Sequence, residues 1–171
     1  NCRPDEIIFT AGGTEADNIA IFGATQAFRG PLGLPAGVPA GDGTQPGLPA
    51  EALPVRPAGL AQPGLPAEAL AQAGHLITTA FEHHAGLRSF EALEREGWAV
   101  TYLPVSGDGL VDPEDVRLAI RPTTLLVSVM YANNEIGTVQ PIAEIGKRIK
   151  DVRKERLARQ NQLPIYFHCD A

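Results

Sequence analysis

Leu125-Leu126-Val127-Ser128-Val129-Met130, followed at once by Tyr131-Ala132-Asn133-Asn134-Glu135-Ile136-Gly137, decides the architecture. The first run has strand length and almost no polar alternation, as expected of a strand buried on both faces. Helices must then pack above and below it, which is the habit of parallel sheets. The second run is a polar loop leaving the strand. Downstream, Pro141 to about Gln160 reads as an amphipathic helix. Ile142, Ile145, Ile149 and Val152 line one side, and Lys147, Arg148, Lys150, Asp151 and Lys154 lie on the solvated other. Ile165 to His168 is the next strand, and Cys169-Asp170-Ala171 follows it.

Upstream the same alternation holds. Leu76 to Thr79 is a strand and Ala80 to His84 a turn. Ala85 to Gly97 is a helix with Leu87, Phe90 and Leu93 inward, and Trp98 to Val105 is a strand. Asp112-Pro113-Glu114-Asp115 starts a short helix with an N-cap and a proline at its first position, ending near Arg121-Pro122. Near the beginning, Ile7 to Thr10 reads as a short buried strand. Gly12 and Gly13 form a turn, and Thr14 opens a helix to about Phe28, with Thr14 and Asp17 spaced as a capping box. Ala16, Ile19, Ala20, Gly23 and Ala27 share one stripe at helical spacing, and Ile21 and Phe28 extend the apolar surface, as expected of a helix covered on more than one side. The fold class predicted is α/β, a mainly parallel sheet with helices on both faces.

One segment does not fit. Residues 30–74 include 18 Gly or Pro, too many to bury the apolar surface that offsets chain entropy. Gln45-Pro46-Gly47-Leu48-Pro49-Ala50-Glu51-Ala52-Leu53 also returns as Gln62-Pro63-Gly64-Leu65-Pro66-Ala67-Glu68-Ala69-Leu70. The segment reads as a disordered, low-complexity insertion. It interrupts one domain made of residues 1–29 and 75–171.

Composition narrows the function. A net charge of −6 gives no footprint for nucleic acid or an anionic membrane. No apolar run approaches the ~20 residues of a membrane-spanning helix. Cys2 and Cys169 are too few for a disulfide framework, so a reducing setting is expected, the cytoplasm with the mitochondrion as the alternative. In open parallel sheets ligands sit beyond the C-terminal strand ends. The residues there are Gly12, Gly13 and Thr14; Glu82 and His83; Asn133 and Asn134; and Asp170. Adjacent His83 and His84, or His168 and Cys169, lack the spacing of a structural zinc site, so no metal is expected. Pyridoxal 5'-phosphate (PLP) suits the whole set. Its phosphate needs a glycine-opened helix N-terminus, its pyridine nitrogen a carboxylate such as Asp170, its ring face an imidazole such as His83, and its 3-oxygen an amide such as Asn134.

The segments TAGGTEADNIAIFG, TTAFEHHA, RPTTLLVSVMYANNEIGTVQPIAEIG and YFHCDA resemble the class V aminotransferase family, and within it the cysteine desulfurases and selenocysteine lyases. The resemblance covers residues 1–29 and 75–171. It implies part of the large domain of a fold-type I PLP enzyme. Such an enzyme takes sulfur from L-cysteine, leaves L-alanine, and passes the sulfur as a persulfide to an acceptor protein, often for iron–sulfur cluster assembly. It implies a homodimer as well. Carried over by position, Gly13 and Thr14 bind phosphate and His83 stacks on the ring and helps move protons. Asn134 lies near the ring oxygen, and Asp170 pairs with the pyridine nitrogen. Glu135 and Gly137 keep the loop's shape. His84 reads as a surface residue at the helix start and His168 as structural, while Asn133 either holds the loop or joins the site; Cys169, a strand residue beside Asp170, should face the opposite side as a small buried residue. The family's cofactor lysine follows the His-x-Asp-Ala segment in a His-Lys pair that this sequence does not contain. The expectation is therefore a fragment, inactive by itself. The alternatives are a selenocysteine lyase or a non-catalytic product displaying the Pro-Gly-Leu-Pro insertion.

Overall fold

The computed structural model of the chain describes residues 2–28 and 74–171. Apart from Gly74, the insertion expected at 30–74 lies outside them. Four strands form one sheet: β1 (His75–Thr79), β2 (Ala99–Leu103), β3 (Thr124–Ser128) and β4 (Tyr166–His168). Their order is β2-β1-β3-β4 and every neighbouring pair is parallel. Among the described residues four α-helices surround it: α1 (Gly13–Gln26), α2 (His84–Arg95), α3 (Pro113–Ala119) and α4 (Ile142–Ala158). The architecture is the α/β sheet with covered faces that the strand–helix alternation predicts.

Two apolar clusters make the layers. On one face Ile21 of α1 and Phe90 and Leu93 of α2 pack with Leu76, Leu126 and Trp98. On the other, Val116 of α3 and Ile145 and Ile149 of α4 pack with Ile77, Val127 and Val129. β1 and β3 are buried at every position because they are the inner strands of this sheet. The β1–β3 register skips one residue: His75 pairs with Thr124 but Leu76 with Leu126. Leu125 is the extra residue of that bulge, so Leu125 and Leu126 both reach the same cluster.

The end of the sheet away from the C-terminal strand tips is strapped by polar side chains. His75 contacts Thr124 Oγ1 at 2.7 Å through Nδ1 and Thr101 Oγ1 at 2.9 Å through Nε2, bridging three strands. Burial holds its pKa down at about 3, so the ring is neutral. Arg156 of α4 is buried and donates to the carbonyls of Thr124, Leu163 and Arg121.

The N-terminal stretch departs from expectation in three ways. Ile7 to Thr10 is not a strand: it has no sheet partner among the described residues, and Phe9 is 94% exposed. Apolar, β-branched content marks strand propensity but supplies no neighbour for the backbone N–H and C=O groups. Next, Thr14 and Asp17 form no capping box. Gly12 is the N-cap without a side-chain cap, and the Glu15 carboxylate instead accepts the Ala11 N–H at 2.6 Å. Finally, the inward stripe of α1 is Asp17, Ile21 and Thr25, at four-residue spacing. Ile19 and Ile21 lie about 200° apart around the helix, so one must face out, and it is Ile19.

Candidate active site

The strand ends gather at one rim of the sheet. β1 leads through Ala80 and Phe81 to Glu82 and His83. Beyond β3 and β4 the pairing continues, with the Val129 N–H donating to His168 O at 3.1 Å and the Tyr131 N–H to Asp170 O at 2.6 Å. Asp170 is thereby set beside Tyr131 at the mouth of the loop. A cavity of about 290 Å³ opens there, and His83, Asn134 and Asp170 all line it, with Met130 and Tyr131 among its walls.

Local bonds account for each placement. His83 is the N-cap of α2, and its Nδ1 accepts the Ala85 N–H at 3.2 Å. That bond assigns the proton of the neutral ring to Nε2. Asn133 is buried. Its Nδ2 donates to Phe81 O at 3.2 Å, and its Oδ1 accepts the N–H groups of Glu135 and Ile136 at 2.9 and 3.0 Å. The Gly137 N–H returns to Asn133 O, with Gly137 at φ +75, a left-handed conformation that favours glycine. Gln140 anchors the far side of the loop, accepting the Val111 N–H at 2.9 Å and donating to Gly109 O at 2.7 Å. With Asn133 spent on the loop, exposed Asn134 is the amide left facing the cavity.

Gly13 and Thr14 do not line that cavity. They lie one helical turn before Asp17, whose carboxylate is 3.6 Å from His168 Nε2 at the end of β4, so the N-terminus of α1 is carried to the same rim. Gly12 has φ 175, extended backbone open to any residue. A Cβ added at Gly12 or Gly13 would meet nothing within 4 Å. The glycines therefore leave open space over the first N–H groups of α1, groups that have no partner within a helix.

Two buried acids stand at the same rim: Glu82, placed there by its strand-end position, and Asp17, which the sequence did not single out. Glu82 is 8% exposed. Its Oε1 accepts from Thr79 Oγ1 at 2.7 Å and from the Met130 N–H at 3.0 Å, joining the ends of β1 and β3. Burial pushes its pKa up to about 7, with Asp170 and Asp17 adding to the rise against its two hydrogen bonds. Asp17 is also raised, first by burial and then by Asp170, while His168 and His83 oppose the rise. Its signal in the sequence was a carboxylate four residues before Ile21, on a face that must be buried. Cys169 is half-buried, and burial with Glu82 and Asp170 nearby raises its thiol. Lys147, Lys150 and Lys154, the chain's three lysines, are all exposed on α4, and none lines the cavity. Among the described residues no helix is long and apolar enough to cross a membrane.

A family model described as aminotransferase class-V matches residues 59–157. The chain is 38% identical over all 171 residues to a cysteine desulfurase IscS of Clostridium botulinum, of which it covers 30%. It thus spans about a third or less of the curated relatives it matches. Among solved structures it is similar to SspA in complex with cysteine (TM-score 0.65, 30% identity, 99% of this chain and 34% of that one). DndA from Streptomyces lividans matches comparably (TM-score 0.66, 30% identity, 100% of this chain and 34% of that one).

Proposed function

This chain belongs to the class-V aminotransferase family, and from that premise we propose that it forms part of the PLP-binding large domain of a cysteine desulfurase. The observation that carries the proposal is the meeting of His83, Asn134 and Asp170 in one cavity, with α1 tied to the end of β4 through Asp17 and His168. The donor set fits the cofactor at each end. The open N–H groups at Gly13 and Thr14 suit a phosphate. The Asp170 carboxylate suits a protonated ring nitrogen, the amide of Asn134 suits the ring oxygen, and the flat imidazole of His83 suits the ring face.

When bound, PLP would supply an electron sink for bonds at the α-carbon of an amino acid. The chain's residues have separate tasks around it. Asp170 would hold the proton on the ring nitrogen, and the α1 N-terminus would hold the phosphate end. His83 would lie against the ring face, and its Nε2–H, free of the cap bond, would be the group placed to carry a proton there. None of the chain's three lysines lines the cavity, so these residues alone would hold the cofactor without a covalent bond. L-Cysteine as substrate, a sulfur-acceptor protein, a homodimer and a cytoplasmic setting belong to the same proposal for the whole protein. The chain by itself is inactive.

Binding of pyridoxine 5'-phosphate tests the reading, because this compound lacks the aldehyde that reacts with surface lysines. Followed by 31P NMR, it is expected to bind saturably. Asp170→Asn and His83→Ala should each weaken it by about tenfold or more, the cost of one charge-assisted contact. Equal binding by both variants and the unsubstituted chain would overturn the assignment.

A further inference from the structure

Beneath the cavity lies a second polar cluster with a different geometry. Ser128 and His168 are register partners on β3 and β4, so their side chains share a face. Ser128 Oγ is 2.9 Å from His168 Nδ1. On the other side of the ring, His168 Nε2 lies 3.6 Å from Asp17 Oδ1. Ser128 and Asp17 are 2% and 4% exposed. A strand, a neighbouring strand and a helix thus meet at one imidazole.

We propose that Asp17, His168 and Ser128 form a buried positioning relay that locks α1 to the end of β4, fixing the distance between the helix N-terminus and Asp170. Asp170 follows His168 by two residues, so both project to the face where α1 packs. The helix carries Gly13 and Thr14 one turn away from Asp17. The relay therefore joins the two anchor points assigned above to the phosphate and the ring nitrogen, a deepening that rests on that assignment. Pre-set spacing of this kind lowers the ordering cost of binding.

The polar partners are matched to the task. Ser128 can donate its O–H to Nδ1, which leaves the proton of a neutral ring on Nε2, toward Asp17. Burial lowers His168 and raises Asp17, each toward its uncharged form, while Asp17 and Asp170 pull His168 the other way. The charged and titratable groups facing His168 are Asp17 from α1 and Asp170 from its own strand end. Asp170 and Asp17 in turn raise Glu82 of the β1–α2 turn, and His83 of the same turn lowers Asp17.

NMR on the cofactor-free chain reads the relay directly. In the unsubstituted chain the His168 15N shifts should report a neutral ring protonated at Nε2. Asp17→Asn, nearly isosteric, should move the His168 titration midpoint down, since the Asp17 charge raises it, and displace the Asp170 carboxyl 13C resonance. His168→Gln, which keeps hydrogen-bonding capacity, should hold the Asp170 resonance near its original position. His168→Phe, which fills space alone, should not. If Asp17→Asn leaves both signals in place, or if the Gln and Phe variants shift Asp170 equally, the relay is wrong. Ser128→Ala gives a separate reading should the His168 variants not fold: loss of Nε2 preference supports the relay, and an unchanged tautomer refutes it. None of these signals depends on cofactor, so the relay can stand where the pyridoxine phosphate titration fails, and the reverse.

Discussion

Replacing Glu82 with Gln removes a titratable group from the sheet's rim and keeps its shape. In the folded chain the Glu82 carboxyl is buried, and its pKa stands at about 7 against an ordinary 4.5. The folded state thus binds this proton more tightly than the unfolded state does. Its stabilising effect is complete below pH 4.5 and is lost as pH rises through about 7. A gap of roughly 2.5 pH units at about 1.4 kcal/mol each gives about 3 kcal/mol of stability lost across that window. The Gln amide oxygen can still accept from Thr79 and Met130, and it has no charge to desolvate. The two proteins should therefore melt within a few degrees of each other at pH 4.5. By pH 8.5 Glu82→Gln should melt roughly 6–12 °C higher, from the usual dependence of Tm on free energy for chains of this size. Thermal unfolding followed by circular dichroism across that range measures the difference. His75 changes stability in the opposite sense, since its depressed pKa makes its contribution full above 6.5 and lost as pH falls toward about 3. Both proteins carry His75, so the difference between their curves isolates Glu82. A gap that stays flat from pH 4.5 to 8.5, or shrinks as pH rises, refutes the reasoning.

Ile21→Ala should cost about 2–5 kcal/mol in urea unfolding, because Ile21 is fully buried between α1 and the sheet. Phe9→Ser should change stability by less than about 0.5 kcal/mol in the same assay, since Phe9 faces solvent in the described structure. Asn133→Ala strands the Phe81 carbonyl and two loop N–H groups, and should lower stability by about 1–3 kcal/mol while weakening pyridoxine 5'-phosphate binding. Asn134→Ala should weaken that binding and leave the melt unchanged, because Asn134 is exposed and lines the cavity.

The strands around Leu76 and Leu125 were legible in the sequence because inner parallel strands are apolar throughout, α3 because its cap obeys local rules and α4 because its apolar stripe does. Asp112 caps α3 as its spacing predicts, accepting the Glu114 N–H at 2.8 Å. Ile7 to Thr10 was misread because pairing is non-local: propensity is written in the segment, but a partner is not. The α1 stripe was misread because small apolar residues occur all around that helix, and the buried face is marked by Asp17 and Thr25, whose polar groups find partners only in three dimensions. At the rim, His83, Asn134 and Asp170 were legible as chemistry. The sequence held no hint of the bulge at Leu125, the 2.9 Å contact from Ser128 to His168 or the burial of Glu82, since each needs two strands brought side by side.

The loop after β3 stores its shape in the Asn133 side chain and the turn at Gly137, with Gln140 pinning its exit. Residues 134–136 are exposed and contribute few of those bonds. They behave as an exchangeable cassette: an engineer could vary the reactive group presented at position 134 across many chemistries at little folding cost. The same division lets selection tune what the rim recognises without renegotiating the scaffold beneath it.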